Sequence, residues 1–230
     1  MEETIRILPC GDSALTLVLG DRVSEAVHRR VKAMELALRR AALPGVLELV
    51  PTYTTVCVHY DPCRVLFCQL EAAIRGLAFA PEAAAEAGRL IEIPVCYGGE
   101  YGPDLKAVAA HAGLLPEEVV RRHTAPEYLV YMLGFLPGFA YLGGLDETIA
   151  CPRLQTPRTR IPAGSVGIAG SQTGIYPLAS PGGWQLIGRT PETLFSLTEQ
   201  GESRFLLSPG DRVRFVAVPP EAFLEGASAV

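Results

Sequence analysis

The second half of the chain consists of short apolar segments separated by glycine and proline, and this pattern restricts the fold more than any other feature. Residues 134–191 make up a quarter of the 230 residues but hold 11 of the 23 glycines. Turns at this frequency interrupt long helices, whereas short strands joined by turns can close on themselves. We therefore expect a closed or nearly closed β-barrel, which begins with a strand at Leu90–Val95 and ends with one at Val213–Val218.

The first eighty residues show a different pattern, which is typical of a small α+β unit. Two strand-like segments, Ile5–Leu8 and Ala14–Leu19, surround a Gly-Asp turn. A long amphipathic helix then starts near Asp21 and ends before Pro44-Gly45. Two more strands follow, and a second helix opens at Asp61-Pro62. This order of elements predicts a ferredoxin-like sheet with helices on one face.

The boundary between these two parts is expected in residues 80–88, APEAAAEAG, which are of low complexity. We therefore divide the chain into an N-terminal α+β domain over residues 1–86 and a β-barrel domain over residues 87–230. The predicted fold class of the whole chain is α+β.

Composition and charge argue against several classes of protein. The net charge is −5, whereas a surface that binds nucleic acid is basic. Asp104–Arg122 resembles a helix-turn-helix, but its second helix begins with Pro116 and two glutamates, so we interpret it as structural. No apolar run reaches the ~18 residues that span a bilayer, and the first residues lack the pattern of a secretory signal. These observations predict a cytoplasmic protein that binds neither nucleic acid nor membrane.

The cysteines give no sign of a metal site. Six of them occur, at positions 10, 57, 63, 68, 96 and 151, without any CxxC pair, and the nearest pair, Cys63 and Cys68, has no histidine partner nearby. This spacing differs from that of zinc sites. We therefore expect buried, reduced thiols and no metal ligands.

Between Glu147 and Glu192 the chain has no acidic residue, no lysine and no histidine, but it has four arginines. These are Arg153, Arg158, Arg160 and Arg189. A guanidinium can donate two parallel hydrogen bonds to a carboxylate or a phosphate, and prolines stiffen the loop that carries the first three. We predict an anion-binding site in this region; the alternative is a set of solvated surface arginines.

Polar side chains near the arginines are further candidates. Gln172 and Tyr176 could orient a carbonyl or a carboxylate through neutral hydrogen bonds, and Ser165 is assigned to the anion-binding group. His123 is the best candidate among the four histidines for proton transfer at neutral pH, with a structural histidine as the alternative. Trp184, the single tryptophan, would either fill the core or the barrel end, or form a wall of the pocket or of a partner interface.

The glycine-rich segment 164–170 matches neither a phosphate-binding P-loop nor a dinucleotide-binding loop, so we interpret it as a tightly packed strand. The arginine region also supplies positive charge without a carboxylate base. A base would have to come from His123, from Glu127, Asp146 or Glu147, or from another chain. This imbalance predicts a half-site that a partner polypeptide completes.

Three nearly uninterrupted segments carry a resemblance to a known family. They are EYLVYMLGFLPGFAYLGGL at Glu127–Leu145, PRLQTPRTRIPAGS at Pro152–Ser165 and GIAGSQTGIYPLASPGGWQLIGRTP at Gly167–Pro191. These segments resemble the B component of bacterial 5-oxoprolinase, a family also described as KipI-like or allophanate hydrolase subunit 1-like. The resemblance implies that the barrel is cyclophilin-like.

The same resemblance implies a function. A complex of three subunits, the A, B and C components, would use ATP to open the lactam of 5-oxo-L-proline to L-glutamate. This chain would then be part of a hydrolase and would contact the C component directly. ATP would be bound by the complex rather than by this chain alone. The arginines would receive the substrate carboxylate or a phosphorylated intermediate, Gln172 and Tyr176 would orient the ring, and His123 would move a proton.

Two other functions stay open at this point. One is a protein that binds and inhibits a sensor histidine kinase, which a KipI-like member of the family is described to do. The other is one half of an enzyme that processes urea or allophanate amides.

Overall fold

The computed structural model describes residues 5–79 and 88–227. The chain divides into two compact units, Met1–Ala87 and Gly88–Val230, and each is described by itself. The expected linker falls on residues 80–88, of which 80–87 lie outside the described residues. The limits of 1–86 and 87–230 for the two domains therefore stay a prediction.

The first unit is a four-stranded sheet with two helices. Its elements are β1 (Arg6–Pro9), β2 (Ala14–Val18), α1 (Glu25–Ala41), β3 (Val46–Pro51), β4 (Thr55–Tyr60) and α2 (Phe67–Arg75). The strands are antiparallel and pair in the order β1-β2-β4-β3. Leu15, Leu17 and Val58 lie on one face of the sheet and are fully buried with Met34 of α1 and Leu70 of α2. Both helices therefore cover the same face, because side chains alternate along a strand.

Both helices of this unit begin later than the sequence analysis predicted. The hydroxyl of Ser24 accepts a hydrogen bond from the backbone N–H of Val27 at 3.2 Å and caps α1. The carboxylate of Asp61 accepts the backbone N–H of Cys63 at 2.9 Å and holds a turn, so α2 begins only at Phe67.

The second unit is built on a closed barrel. Its elements are β5 (Leu90–Tyr97), α3 (Leu105–Ala112), α4 (Pro116–Thr124), β6 (Tyr128–Leu133), β7 (Ala140–Gly143), a 3₁₀ turn (Glu147–Ile149), β8 (Arg158–Ile161), β9 (Ser165–Ala169), β10 (Gln172–Ile175), β11 (Ser180–Gly182), β12 (Gln185–Arg189), β13 (Phe195–Leu197), β14 (Ser203–Phe205), β15 (Arg212–Ala217) and α5 (Pro220–Ala227). The barrel strands follow the order β10-β7-β6-β15-β5-β12-β9, and β10 pairs with both β7 and β9. The predicted α+β fold with a β-barrel is confirmed.

The remaining strands of this unit form two ribbons outside the barrel. One ribbon joins β8 to β11, and the other joins β13 to β14. The first ribbon carries Arg158 and Arg160, so two of the predicted site residues are attached to the barrel rather than built into its wall.

The wall of the barrel separates an interior core from an outer aromatic cluster. On β9, Val166 and Ile168 belong to the interior core, whereas Ala169 packs in the outer cluster. After β10, Tyr176 belongs to the outer cluster as well. Because successive side chains point to opposite faces, Gln172 lies on the same outer face as Tyr176.

The glycine-rich segment forms β9 and the turn before it, as predicted. Gly164 has a φ of +79°, and a Cβ at this position would lie 2.3 Å from the carbonyl oxygen of Thr190. At Gly167, a Cβ would lie 3.1 Å from the Cβ of Trp184. Glycine at these positions therefore permits close contact between neighbouring segments of protein.

Within residues 5–79 and 88–227, no helix is long and apolar enough to span a membrane. The same residues contain no group of three or more His, Cys, Asp or Glu side chains that could hold a metal ion. All six cysteines are free thiols. Cys10, Cys63 and Cys68 are exposed, so the prediction of buried thiols was wrong for these three, which lie in turns or on an exposed helix face.

Candidate functional site

An aromatic cluster on the outside of the barrel lies at the centre of the candidate site. The ring of Phe139 makes edge contacts with Tyr176 at 5.3 Å and with Trp184 at 5.5 Å between ring centroids. Tyr176 and Trp184 are themselves 6.3 Å apart in the same edge geometry. All three rings are buried. This arrangement gives a rigid apolar base, around which the polar side chains are placed.

Arg158 is fixed beside this cluster by a carboxylate from the start of α3. Its Nη2 donates to Oδ1 of Asp104 at 2.7 Å, and its Nη1 donates a long bond of 3.5 Å to the carbonyl oxygen of Trp184. Oδ2 of Asp104 accepts the backbone N–H of Leu186 at 2.7 Å, so both oxygens of this buried carboxylate are used. A guanidinium has five N–H donors, so Arg158 keeps donors for a further acceptor.

The charges of two of the arginines act on Tyr176. Burial raises the pKa of the Tyr176 hydroxyl, whereas a hydrogen bond from the backbone of Trp184 and the charges of Arg153 and Arg158 lower it. Both guanidinium groups are therefore close enough to stabilise negative charge at this hydroxyl. Arg158 is bonded to Trp184 of the outer cluster, and the charge of Arg153 acts on Tyr176 of the same cluster.

Arg153 and Arg160 are exposed on the loop before β8 and on β8 itself. Among the residues that the structure describes, neither forms an ion pair, whereas Arg158 does. Exposed cations without a carboxylate partner are available to an anion or to a partner surface. These two side chains, together with the spare donors of Arg158, supply the positive charge of the site.

Arg189 lies apart from the other arginines, at the far end of β12. Its Nε donates to the carbonyl oxygen of Ala163 at 2.8 Å, and its guanidinium lies 5.7 Å from the ring centre of Phe223 on α5. Arg189 pairs with Ser165 of β9, and its guanidinium contacts α5, whereas the guanidinium of Arg158 is bonded to Asp104 and to Trp184. The structure therefore does not bring Arg189 into the group around Tyr176.

Ser165 and Gln172 occupy neighbouring barrel strands. Ser165 is buried at the start of β9, and its hydroxyl donates to the carbonyl oxygen of Pro162 at 2.7 Å. Gln172 is half-buried at the start of β10, on the outer face. The hydroxyl of Ser165 is thus committed to holding the turn before β9, whereas the position of Gln172 places it on the face that carries the outer cluster.

His123 lies inside the barrel, far from solvent. Its Nδ1 is 2.7 Å from the hydroxyl of Tyr97, and its Nε2 is 2.8 Å from the hydroxyl of Thr173. The ring stacks on Phe215 at 4.5 Å. Burial lowers the pKa of His123 to about 3, so the ring is neutral at physiological pH. This environment favours the structural alternative that the sequence analysis left open.

Asp104 is the main site residue that the sequence analysis missed. It was treated as the start of a helix, and α3 does begin directly after it. Its partner Arg158 lies 54 positions later in the chain, so no local pattern could reveal the pair. The one available signal was the position itself, because a carboxylate is favoured at a helix start.

A separate cavity of about 350 Å³ lies where α4 ends. It is lined by Arg121, Arg122, Ala125, Pro126, Gly144 and Asp146. Its two arginines are already bonded, since both donate to the carboxylate of Glu118 at 2.6–2.7 Å. The arginines around Tyr176 are therefore better placed to receive an anion than those of this cavity.

Comparison with known proteins identifies the family. The sequence matches the family described as "Carboxyltransferase domain, subdomain C and D" over residues 5–206. It is 46% identical over 219 residues to a Bacillus subtilis protein that is named as a 5-oxoprolinase subunit, the B component, with 90% of each chain covered. A protein of the same name from Escherichia coli O157:H7 is 45% identical over 206 residues, which cover 90% of this chain and 93% of the relative.

Two solved structures extend the comparison. The crystal structure of TTHA0988 is 42% identical, with a TM-score of 0.78, and the match covers 94% of this chain. The match covers 41% of that chain, so the present protein spans about two fifths of its length. The K. lactis urea amidolyase is 19% identical with a TM-score of 0.76, and the match covers 96% of this chain and 15% of that one. At this identity the likeness shows a shared fold alone. The family match and the two named relatives establish that this chain belongs to the carboxyltransferase subdomain C and D family, within the group of 5-oxoprolinase B components.

Proposed function

We propose that this chain is the B component of an ATP-dependent 5-oxoprolinase and helps to open the lactam of 5-oxo-L-proline to L-glutamate. The observation that carries this proposal is the identity of 46% and 45% to two proteins of that name, across about nine tenths of the chain. Because those relatives are named as subunits, we place the chain in a hetero-oligomer with the A and C components. Its cytoplasmic location stays a prediction from the sequence.

The chemistry of the substrate supports a role for the outer cluster. 5-Oxoproline is a small ring with one carboxylate and one unreactive amide. The spare donors of Arg158 and the exposed guanidinium of Arg153 can hold the carboxylate at the edge of the cluster. The buried ring of Tyr176 supports this edge from the barrel wall, and Gln172 lies on the same face. Both a carboxylate and a phosphorylated intermediate would be held by the same charges.

A proton acceptor is the part that this group of residues lacks. Asp104 is the carboxylate beside Arg158, but both of its oxygens already accept hydrogen bonds. His123 is enclosed in the barrel with both ring nitrogens bonded. We therefore assign the catalytic base to a partner polypeptide, and this chain supplies binding and charge.

The glycine-rich segment of this chain does not form a phosphate cradle for a nucleotide. A phosphate cradle needs a glycine-rich turn with free backbone N–H groups at the start of a helix, but the glycine-rich segment here is barrel strand β9. The space that a Cβ would fill at Gly164 is occupied by the carbonyl oxygen of Thr190. We therefore assign ATP to another part of the complex and derive no step of the reaction through it in this chain.

Reconstitution with the A and C components tests the proposal. We expect ATP-dependent formation of glutamate from 5-oxoproline only when all three polypeptides are present. In that complex, Arg153→Gln should lower kcat/KM by at least ~10-fold, because a charge-assisted hydrogen bond to the carboxylate is lost. Arg64→Gln removes an exposed arginine of the first unit and should leave kcat/KM unchanged.

The competing functions give different results in the same preparation. Absence of glutamate in every combination, together with tight binding to a sensor histidine kinase, would favour the kinase inhibitor. Carboxylation or hydrolysis of urea or allophanate, without activity on 5-oxoproline, would favour the third function. The 19% identity to urea amidolyase supports a shared fold only.

A further inference from the structure

The loop that carries Arg153 has no regular structure of its own. Residues 152–157 form neither helix nor strand, and they run from the bridge between Cys151 and Gly170 to the start of β8. Arg153 is exposed on this loop. A guanidinium at the end of a long side chain binds a small anion well only when its backbone is held, because a mobile loop loses more entropy on binding. The contacts that hold this loop therefore bear on the candidate site.

Two hydrogen bonds hold the residues on either side of Arg153. The backbone N–H of Leu154 donates to the carbonyl oxygen of Gly183 at 2.7 Å. The side-chain Nε2 of Gln185, the first residue of β12, donates to the carbonyl oxygen of Pro152 at 3.0 Å. The turn between β11 and β12 and the residue that begins β12 thus fix the backbone before and after the arginine.

The turn between β11 and β12 lies between this loop and Tyr176. A Cβ at Gly183 would lie 3.6 Å from Cγ of Pro157, at the end of the loop. A Cβ at Gly182 would lie 2.5 Å from the hydroxyl oxygen of Tyr176. The loop and the tyrosine therefore contact adjacent residues of one turn, so a shift of the loop would move Arg153 relative to Tyr176.

The other end of the Gln185 amide is buried without a hydrogen bond. Its Oε1 is closed off from solvent and has no hydrogen-bond partner within the part of the chain that the structure describes. The orientation of the amide follows from the Pro152 carbonyl, because only the NH₂ end can donate to it. Burying an unpaired acceptor lowers stability, and an apolar side chain of similar length would avoid that loss. The bond to Pro152 is therefore the contribution of this amide that calls for a functional explanation.

We propose that Gln185 is a positioning residue that holds Arg153 in place for the carboxylate of the substrate. This inference rests on the proposed function, in which Arg153 and Arg158 receive that carboxylate. In this role Gln185 acts through Pro152 and not through contact with the substrate. Its loss should therefore weaken substrate binding, which raises KM, and leave kcat unchanged.

Gln185→Met separates this role from folding. Methionine has a similar length, but it has neither the N–H donor nor the buried oxygen. Pro152 is exposed, so its carbonyl oxygen can accept a hydrogen bond from water instead. We expect the urea midpoint of unfolding to be no lower than that of the wild type. In the complex reconstituted with the A and C components, KM for 5-oxoproline should rise at least ~5-fold, because the carboxylate meets a misplaced guanidinium.

Two further measurements distinguish positioning through Arg153 from a general structural effect. In the purified chain, the backbone amide of Leu154 should exchange its hydrogen at least ~5-fold faster in Gln185→Met, because the loop opens more often. In a chain that already carries Arg153→Gln, Gln185→Met should raise KM by less than ~2-fold, because two residues that act through one contact do not have additive effects.

The matched control is Gln200→Met, which changes an exposed glutamine in the turn between β13 and β14. It should alter neither KM nor the exchange of Leu154. An unchanged KM for Gln185→Met would overturn the positioning role and leave the proposed function standing. An equal rise of KM with and without Arg153→Gln would also overturn it. A wild-type complex that forms no glutamate would instead contradict the proposed function, and unchanged exchange of Leu154 in Gln185→Met would separately overturn the claim that Gln185 holds the loop.

Discussion

The interior of the barrel and its outer face use polar side chains in different ways. Inside, both ring nitrogens of His123 are bonded to protein hydroxyls and the ring is closed off from solvent. Outside, Arg158 is held by one carboxylate but keeps unused donors, and Arg153 is exposed. A polar group with all of its bonds made within the protein stabilises the fold, whereas one with free donors can bind a ligand. The difference assigns stability to the interior and recognition to the outer face.

The largest effect on stability is expected from His123→Ala. This change leaves two buried hydroxyls without their partner and opens a cavity beside Phe215, so the free energy of unfolding should fall by about 3–5 kcal/mol. Trp184 is the single tryptophan and lies in the second unit, so its fluorescence during urea unfolding follows that unit. His111→Ala changes an exposed histidine and should shift stability by less than ~0.5 kcal/mol. An equal loss of unfolding free energy in the two variants would contradict the structural role assigned to His123.

Asp104→Asn tests how much the ion pair with Arg158 contributes to the stability of the outer face. The asparagine can still accept the N–H of Leu186, but the ion pair with Arg158 is lost, so we expect a loss of about 2 kcal/mol in stability. The measurement is the same urea titration, with the exposed Asp12→Asn as control. A stability loss without any change in activity of the reconstituted complex would show that Asp104 does not position Arg158 for function.

Acid should weaken the barrel through His123. Its pKa is about 3 in the folded protein, below the ordinary 6.5. The stability that depends on the neutral ring is therefore complete above pH 6.5 and declines as the pH falls from 6.5 toward 3, because the unfolded chain takes up a proton first. Between pH 7 and pH 5 this loss is about 2 kcal/mol. The pH dependence of unfolding, followed by Trp184 fluorescence, should be reduced in His123→Gln, and an unaltered slope would contradict the assignment.

The smallest expected effect belongs to Arg189. Arg189→Gln removes the hydrogen bond to Ala163 and the contact with the Phe223 ring. The free energy of unfolding should therefore fall by about 1 kcal/mol. Arg160→Gln, at an exposed position without an ion pair among the described residues, should cost less than ~0.5 kcal/mol. Thermal unfolding of the two variants distinguishes a structural arginine from an exposed one, and the comparison would need revision if Arg160→Gln were the more damaging change.

Much of the fold could be predicted because it depends on local patterns. Short strands between glycines indicated the barrel, and helical periodicity indicated α1, although the predicted start near Asp21 was too early. The capping position of Ser24 was visible in the sequence and would have placed that start correctly. The parallel pairing of β5 with β15 could not be predicted, because it joins residues more than a hundred positions apart and depends on closure of the whole barrel.

The candidate site was less predictable than the fold. The absence of acidic residues near the arginines along the chain predicted an anion-binding site, but it could not show that Asp104 reaches Arg158 from a distant helix start. Arg189 is occupied by a backbone carbonyl and an aromatic ring, neither of which can be identified from a charge pattern. Sequence proximity therefore indicated a cationic region, but it could not show which of its arginines have partners elsewhere in the chain.

The most direct test of the account is the KM for 5-oxoproline of the reconstituted complex, measured for Arg158→Gln and Arg189→Gln side by side. The outer-face assignment predicts that Arg158→Gln raises KM at least ~10-fold, because it removes a charged donor to the substrate carboxylate. Arg189→Gln should keep the wild-type KM while it lowers the unfolding temperature. An unchanged KM for Arg158→Gln, or an equal rise for both variants, would contradict the claim that the anion binds beside Tyr176.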